Sequence, residues 1–192
     1  MSKNSLEVSI ETALQGLAFW ISYKQILHHW YPLNEGALVA EFVNLLNAKR
    51  DQNLQIRCEV PYGKPRGPRM DVEILRKDAK DYSRIAAIEF KRNFAGKKLI
   101  YEDIEKLAEL KDKEISRFLI VVSERKLPKE YVNKDGEASG KILFHENGFS
   151  AKVVRVLKST SAFRWQKGGK TPPKANYCCL IEINPSNNRS SV

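Results

Sequence analysis

The chain has 192 residues, 33 of them Lys or Arg against 23 Asp or Glu, for a formal net charge of +10 and a pI near 9.5. At about 100–200 residues per domain this is one compact domain, able to bury roughly 70% of its unfolded surface without a disulfide or structural metal. An apolar fraction of 42% and a charged fraction of 29% exclude wholesale disorder, and the excess of positive charge favours a polyanionic partner, nucleic acid before an anionic membrane surface.

Residues 4 to about 30 predict a long amphipathic helix. Leu6, Ile10, Ala13, Leu14, Leu17 and Ile21 recur at helical spacing, and Asn4 with Glu7 resembles a capping box. Pro32 interrupts, and Asn34 is placed to cap a second helix from residue 35 to about 48. Its apolar stripe is Leu38, Phe42, Leu45 and Leu46, with Glu41 beside it. The period then changes. In residues 54–60, Leu54, Ile56 and Cys58 alternate with Gln55, Arg57 and Glu59, which is a strand pattern. Residues 61–69, with three prolines and two glycines in nine positions, are irregular. Residues 70–75 form a second strand, 77–82 a polar turn, and 83–90 a third strand whose nearly unbroken apolar run implies burial on both faces.

A basic, Gly-containing loop at 93–98 leads into a helix from residue 101 to about 113, with Glu102–Lys106 and Glu109–Lys113 as acid-before-base pairs. Residues 118–122 are a fourth, wholly apolar strand, and a helix between strands three and four fits a crossover joining parallel neighbours. Residues 129–140 read as loop, 142–145 and 149–157 as a hairpin, 164–174 as a second basic irregular stretch, and 177–183 as a last strand. The order is that of an α/β sandwich forming a single domain over 1–185, with its core at about 35–122 and a disordered tail at 186–192.

Three cysteines without CxxC spacing argue against a disulfide framework or a four-cysteine zinc site and for a reducing, cytoplasmic setting. No run reaches the roughly 18 apolar residues of a membrane span, and a signal-peptide pattern is missing, so no membrane partner is expected.

One constellation carries chemistry. Asp71 opens the second strand after the Pro-rich turn, and Glu89 and Lys91 close the third. Side chains alternate along a strand, so Glu89 and Lys91 share one face while Phe90 points to the other. If strands two and three form the hairpin their short turn implies, Asp71 lies beside Glu89. Two hard carboxylates suit Mg²⁺, with Mn²⁺ as a substitute, because Mg²⁺ keeps several waters and needs few protein ligands. Such a cation is a Lewis acid toward a phosphate oxygen and lowers the pKa of water. Lys91 is suited to positioning that water and offsetting transition-state charge; service as a general base would require a strongly depressed pKa.

Asp71 after the proline turn, then Glu89-Phe90-Lys91, resembles the P-D…(D/E)-x-K motif of the restriction-endonuclease-like nuclease superfamily. The resemblance runs from the second helix to the fourth strand, about half the chain. One departure is that Pro68 stands three residues before Asp71 rather than next to it. The resemblance implies a restriction-endonuclease-like αβββαβ core, a mixed central sheet flanked by helices, with an added N-terminal helix and C-terminal β elements. It also implies Mg²⁺-dependent endonuclease cleavage of DNA, of restriction, repair or defence type, with RNA as a further substrate to test. Asp71 and Glu89 would be metal ligands, Lys91 the catalytic lysine, and Glu41 an additional acidic ligand.

Other E-x-K or D-x-K tripeptides, at Glu109–Lys111, Glu124–Lys126 and Asp78–Lys80, fall in a helix, past a strand or in a turn, and none ends a strand beside an Asp-bearing neighbour. The bland alternative is a surface ion pair on a hairpin. For Glu41 it is an exposed helix residue, and for Glu73 a strand-edge charge rather than a further ligand. Lys64, Arg66, Arg69, Arg92, Lys97 and Lys98 border the constellation and suit phosphate contacts, which confer affinity and salt dependence rather than sequence reading. Trp165, in the later basic stretch, is either a base-stacking or a core residue. His28, His29 and His145 lack metal-ligand partners, and Cys178-Cys179 reads as core. A competing function is a non-catalytic nucleic-acid-binding or assembly module on the same fold. The first helix carries more apolar surface than one sheet face requires, and cutting both strands of a duplex favours two-fold symmetry, so a homodimer is expected.

Overall fold

The computed structural model describes residues 3–27, 33–48, 51–62, 66–78, 81–93, 95–112, 114–124, 126–146, 149–159 and 175–185. These contain, in order, α1 (Lys3–Leu27), α2 (Glu35–Asn47), β1 (Leu54–Pro61), β2 (Arg69–Asp78), β3 (Asp81–Arg92), α3 (Lys97–Ala108), β4 (Ser116–Ser123), β5 (Ile142–Glu146), β6 (Phe149–Ser159) and β7 (Asn176–Pro185). The chain is an α/β protein built on one seven-stranded mixed sheet in the order β1-β2-β3-β4-β7-β6-β5. Only β3 and β4 run parallel, as a helical crossover requires; every other neighbour pair is antiparallel.

Period-two alternation divides the sheet's side chains between two cores. Val72, Ile74, Ile88, Phe90, Phe118 and Ile120 pack with α1 and α2 on one face, where the Phe90 and Phe42 rings meet edge-on at 5.2 Å. Ala87, Leu119, Val121, Cys179 and Ile181 pack with Ile100, Ile104 and Leu107 of α3 on the other. Covered on both faces and flanked on both sides, β4 is buried along its whole length, and β3 from Ala86 to Phe90. Gly16 of α1 lies against Leu45 of α2, where an added Cβ would come within 3.1 Å of a methyl. The glycine therefore permits close helix packing.

Several boundaries differ from expectation. Helix α1 already includes Lys3, so Asn4 lies inside it rather than at the cap, whereas Asn34 does cap α2, its Oδ1 accepting from the Ala37 N–H at 2.7 Å. Cys58 is exposed because β1 is an edge strand covered incompletely on its inner face. The hairpin strands run on to Asp78 and start at Asp81, so most of the expected polar turn is strand. Helix α3 begins at Lys97 and ends at Ala108, earlier than the charge pattern implied. Leu110 turns back into the core after it, and Lys106 pairs with Asp103 rather than Glu102. The C-terminal strands enlarge the sheet well beyond a four-stranded core: β7 inserts between β4 and the expected β5–β6 hairpin. His28, His29, Trp165, the second basic stretch and the tail lie outside the described residues. No helix among those described is long and apolar enough to cross a membrane.

Candidate functional site

The hairpin register sets the site. Val72 pairs with Ile88, which brings the next residues outward, Asp71 and Glu89, side by side on the α3 face. Asp71 is fixed by its own Oδ2, which accepts the Phe90 N–H at 2.6 Å, and its carboxyl is hydrogen-bonded to that of Glu89. Opposite Asp71 on β1, Glu59 adopts φ 54°, and Arg69 captures its carbonyl at 2.7 Å. A non-glycine residue in this conformation is held there by its surroundings.

Glu89 is 3% exposed. Burial first, and then the neighbouring Asp71 charge, push its carboxyl up to about 9, although the hydrogen bond from Tyr62 works the other way. The Tyr62 hydroxyl donates to Glu89 Oε1 at 2.5 Å. Tyr62 reaches it because its backbone N–H bonds the Pro68 carbonyl at 3.1 Å, closing the base of the Pro-rich turn. Burial and the Glu89 charge raise the Tyr62 pKa well above its usual range, so it stays a neutral phenol that donates to Glu89.

Lys91 lies one step beyond Glu89 on the same face and bridges two helices. Its ammonium meets Asp103 of α3 at 2.9 Å and Glu35 of α2 at 3.2 Å. Burial opposes the charge, but these two carboxylates prevail and hold the group protonated, above its ordinary range. Lys91 is therefore held as a cation. Asp103, 2% exposed, also accepts from Lys106 at 2.7 Å.

Asp71 and Glu89 are thus brought together and Lys91 stands next to them, but Glu41 does not complete a trio. Among the described residues no group of three or more His, Cys, Asp or Glu side chains is placed to hold a metal ion. The helix explains this: Glu35 occupies the α2 position that reaches Lys91, and Glu41, six residues on, is turned roughly 240° from it at 3.6 residues per turn. Glu73 is no ligand either, since it is buried against Arg84 Nε at 2.6 Å. Of the basic set, Arg92 pairs with Glu124 at 2.8 Å and Lys97 with Glu130 at 2.9 Å. Arg66 and Arg69 are exposed at the turn, Lys98 is exposed with a distant Glu102 at 3.9 Å, and Lys64 lies outside the described residues.

Tyr62, Glu35, Asp103 and Lys106 escaped sequence reasoning. Asp103 alone left a signal, as an acidic residue interrupting the apolar stripe Ile100, Ile104, Leu107. A hard divalent cation fits the donor set in one respect: two adjacent carboxyls, one retaining its proton because burial and its neighbour's charge disfavour ionisation, are a pair that such a cation would neutralise. Compared with family models, curated proteins and solved structures, the chain matches none.

Proposed function

We propose that the protein is a metal-dependent endonuclease that hydrolyses DNA phosphodiester bonds on a restriction-endonuclease-like core made of α2, β1–β3, α3 and β4. The observation that carries the reading is the hydrogen-bonded pair of the buried Glu89 carboxyl and the partly buried Asp71 carboxyl at a strand end that also bears Lys91. Asp71 and Glu89 would hold Mg²⁺ or Mn²⁺, with water completing the shell. When bound, that ion supplies Lewis-acid polarisation of a phosphate oxygen and a lowered pKa for water.

The chain's own residues do the rest. Asp71, clamped by the Phe90 N–H, and Glu89, steadied by Tyr62, present their oxygens in a fixed orientation. Lys91, held by its ion pairs to Asp103 and Glu35, would stabilise negative charge on the phosphate. Arg66, Arg69 and Lys98 extend the positive rim along a nucleic-acid backbone.

Incubation with supercoiled plasmid and Mg²⁺ or Mn²⁺ tests the reading. Nicking or linearisation that falls about 100-fold or more in Lys91→Ala is expected, as for loss of one aimed donor. An intact plasmid with every metal, or a Lys91→Ala protein that cuts equally well, would overturn it in favour of a non-catalytic nucleic-acid-binding module. Val8, Phe19 and Tyr23 lie exposed along α1 and support a two-fold pair with two such sites. Sedimentation at micromolar concentration with duplex DNA should give a dimer; a monomer removes that element.

A further inference from the structure

We infer that Lys106 of α3 is a second phosphate-binding ammonium of the candidate site, held in position by the buried carboxylate of Asp103. The inference rests on the nuclease reading and adds residues to it that the D…E-x-K pattern does not contain. Four charged side chains alternate in sign from α2 across β3 to α3: Glu35, Lys91, Asp103 and Lys106. Asp103 divides its oxygens, Oδ2 to Lys91 at 2.9 Å and Oδ1 to Lys106 at 2.7 Å. Lys91 divides its charge between Glu35 and Asp103, so Lys106 completes the pairing of Asp103 and at the same time ties its own ammonium to the Lys91 side of the cluster.

The two ammoniums are not equivalent. The Lys91 side chain is 16% exposed and is committed to two carboxylates, whereas that of Lys106 is 39% exposed and committed to one. An ammonium has three donors, so Lys106 keeps two for a ligand. It also lies within electrostatic reach of Lys91 and of Glu89, one member of the carboxyl pair. A phosphodiester oxygen directed at Asp71 and Glu89 would meet Lys106 at the accessible side of the cluster and Lys91 at the buried side. Asp103 is a positioning residue: it touches neither metal nor substrate but decides where both ammoniums sit.

The experiment uses the full chain with a short DNA duplex. Single-turnover cleavage in Mg²⁺ is measured for wild type, Lys106→Ala, Lys106→Arg and Asp103→Asn, and duplex binding in EDTA is measured against salt. Lys106→Ala should slow cleavage about 10- to 100-fold and lower the salt slope of binding by about one. Lys106→Arg should recover most of the rate, because only charge and reach are required. Asp103→Asn should slow cleavage at least as much. If that variant melts early, the Lys106 pair of variants carries the test alone. An active wild type with an equally active Lys106→Ala and an unchanged salt slope overturns this inference and leaves the nuclease reading standing. A wild type that cuts nothing overturns both.

Discussion

Two buried glutamates on the same face of the same hairpin have opposite fates. Glu73 and Glu89 are each 3% exposed. Glu73 faces the Arg84 guanidinium at 2.6 Å, and Arg84 passes the contact on to Asp112 at 2.9 Å, so its charge is compensated within the protein. Glu89 faces Asp71 and a tyrosine hydroxyl, and Lys91, two residues on along the same strand, pairs with Asp103 and Glu35. The first arrangement is a structural ion pair. The second is a buried acid with a carboxyl and a hydroxyl as its neighbours, an environment that favours its protonated form and marks it as a functional-site candidate. Burial alone would have ranked the two alike; the identity of the neighbour separates them.

The sharpest way to break this contrast is cleavage. Asp71→Asn or Glu89→Gln should reduce Mg²⁺-dependent plasmid nicking by about 10³-fold, the loss of several kcal/mol of charge stabilisation, while Glu73→Gln stays within about threefold of wild type. Equal losses in all three would mean that the hairpin tolerates no change and that Glu89 is nothing special.

Stability should order the glutamates the other way. Glu73→Ala strands Arg84 and should cost about 2–3 kcal/mol in urea unfolding, less than for a fully buried pair because Arg84 is 21% exposed and can rehydrate. Glu89→Gln, without metal, should cost nothing.

The pH dependence is the subtlest effect. The folded chain holds the Glu89 proton up to about 9, while the unfolded chain releases it near 4.5, so between these values folding binds a proton and stability falls as pH rises. Below pH 4.5 the Glu89 contribution is fully present; above 9 it is gone. At pH 8 Glu89→Gln should therefore melt higher than wild type without metal, by about 2–4 °C for each kcal/mol recovered, and should flatten this part of the pH profile. Added Mg²⁺ should stabilise wild type increasingly from pH 6 to 9 and leave Glu89→Gln unmoved. A wild type whose melting is flat over this window would mean that Glu89 is already ionised and compensated.

The comparison also marks what was legible in the chain. Asp71, Glu89 and Lys91 could be found because strand alternation and a short hairpin turn are local rules: once β2 and β3 pair, their facing residues follow. Glu41 was chosen by its place in a helix, and helix position alone does not say which side faces the sheet. Packing of Phe42 on Phe90 turned Glu35 inward instead. Lys106 looked like an i,i+4 partner of Glu102, yet the buried Asp103 outcompeted it.

By itself the sequence determined the period of each element, the order helix, three strands, helix, strand, the parallel β3–β4 crossover and the candidate carboxyl pair, because each follows from side-chain alternation and chain connectivity. Tertiary structure alone decided that β7 lies between β4 and β6, that Tyr62 caps Glu89, and that α2 and α3 converge on Lys91. These depend on which faces meet across long stretches of chain, and no local spacing carries that information.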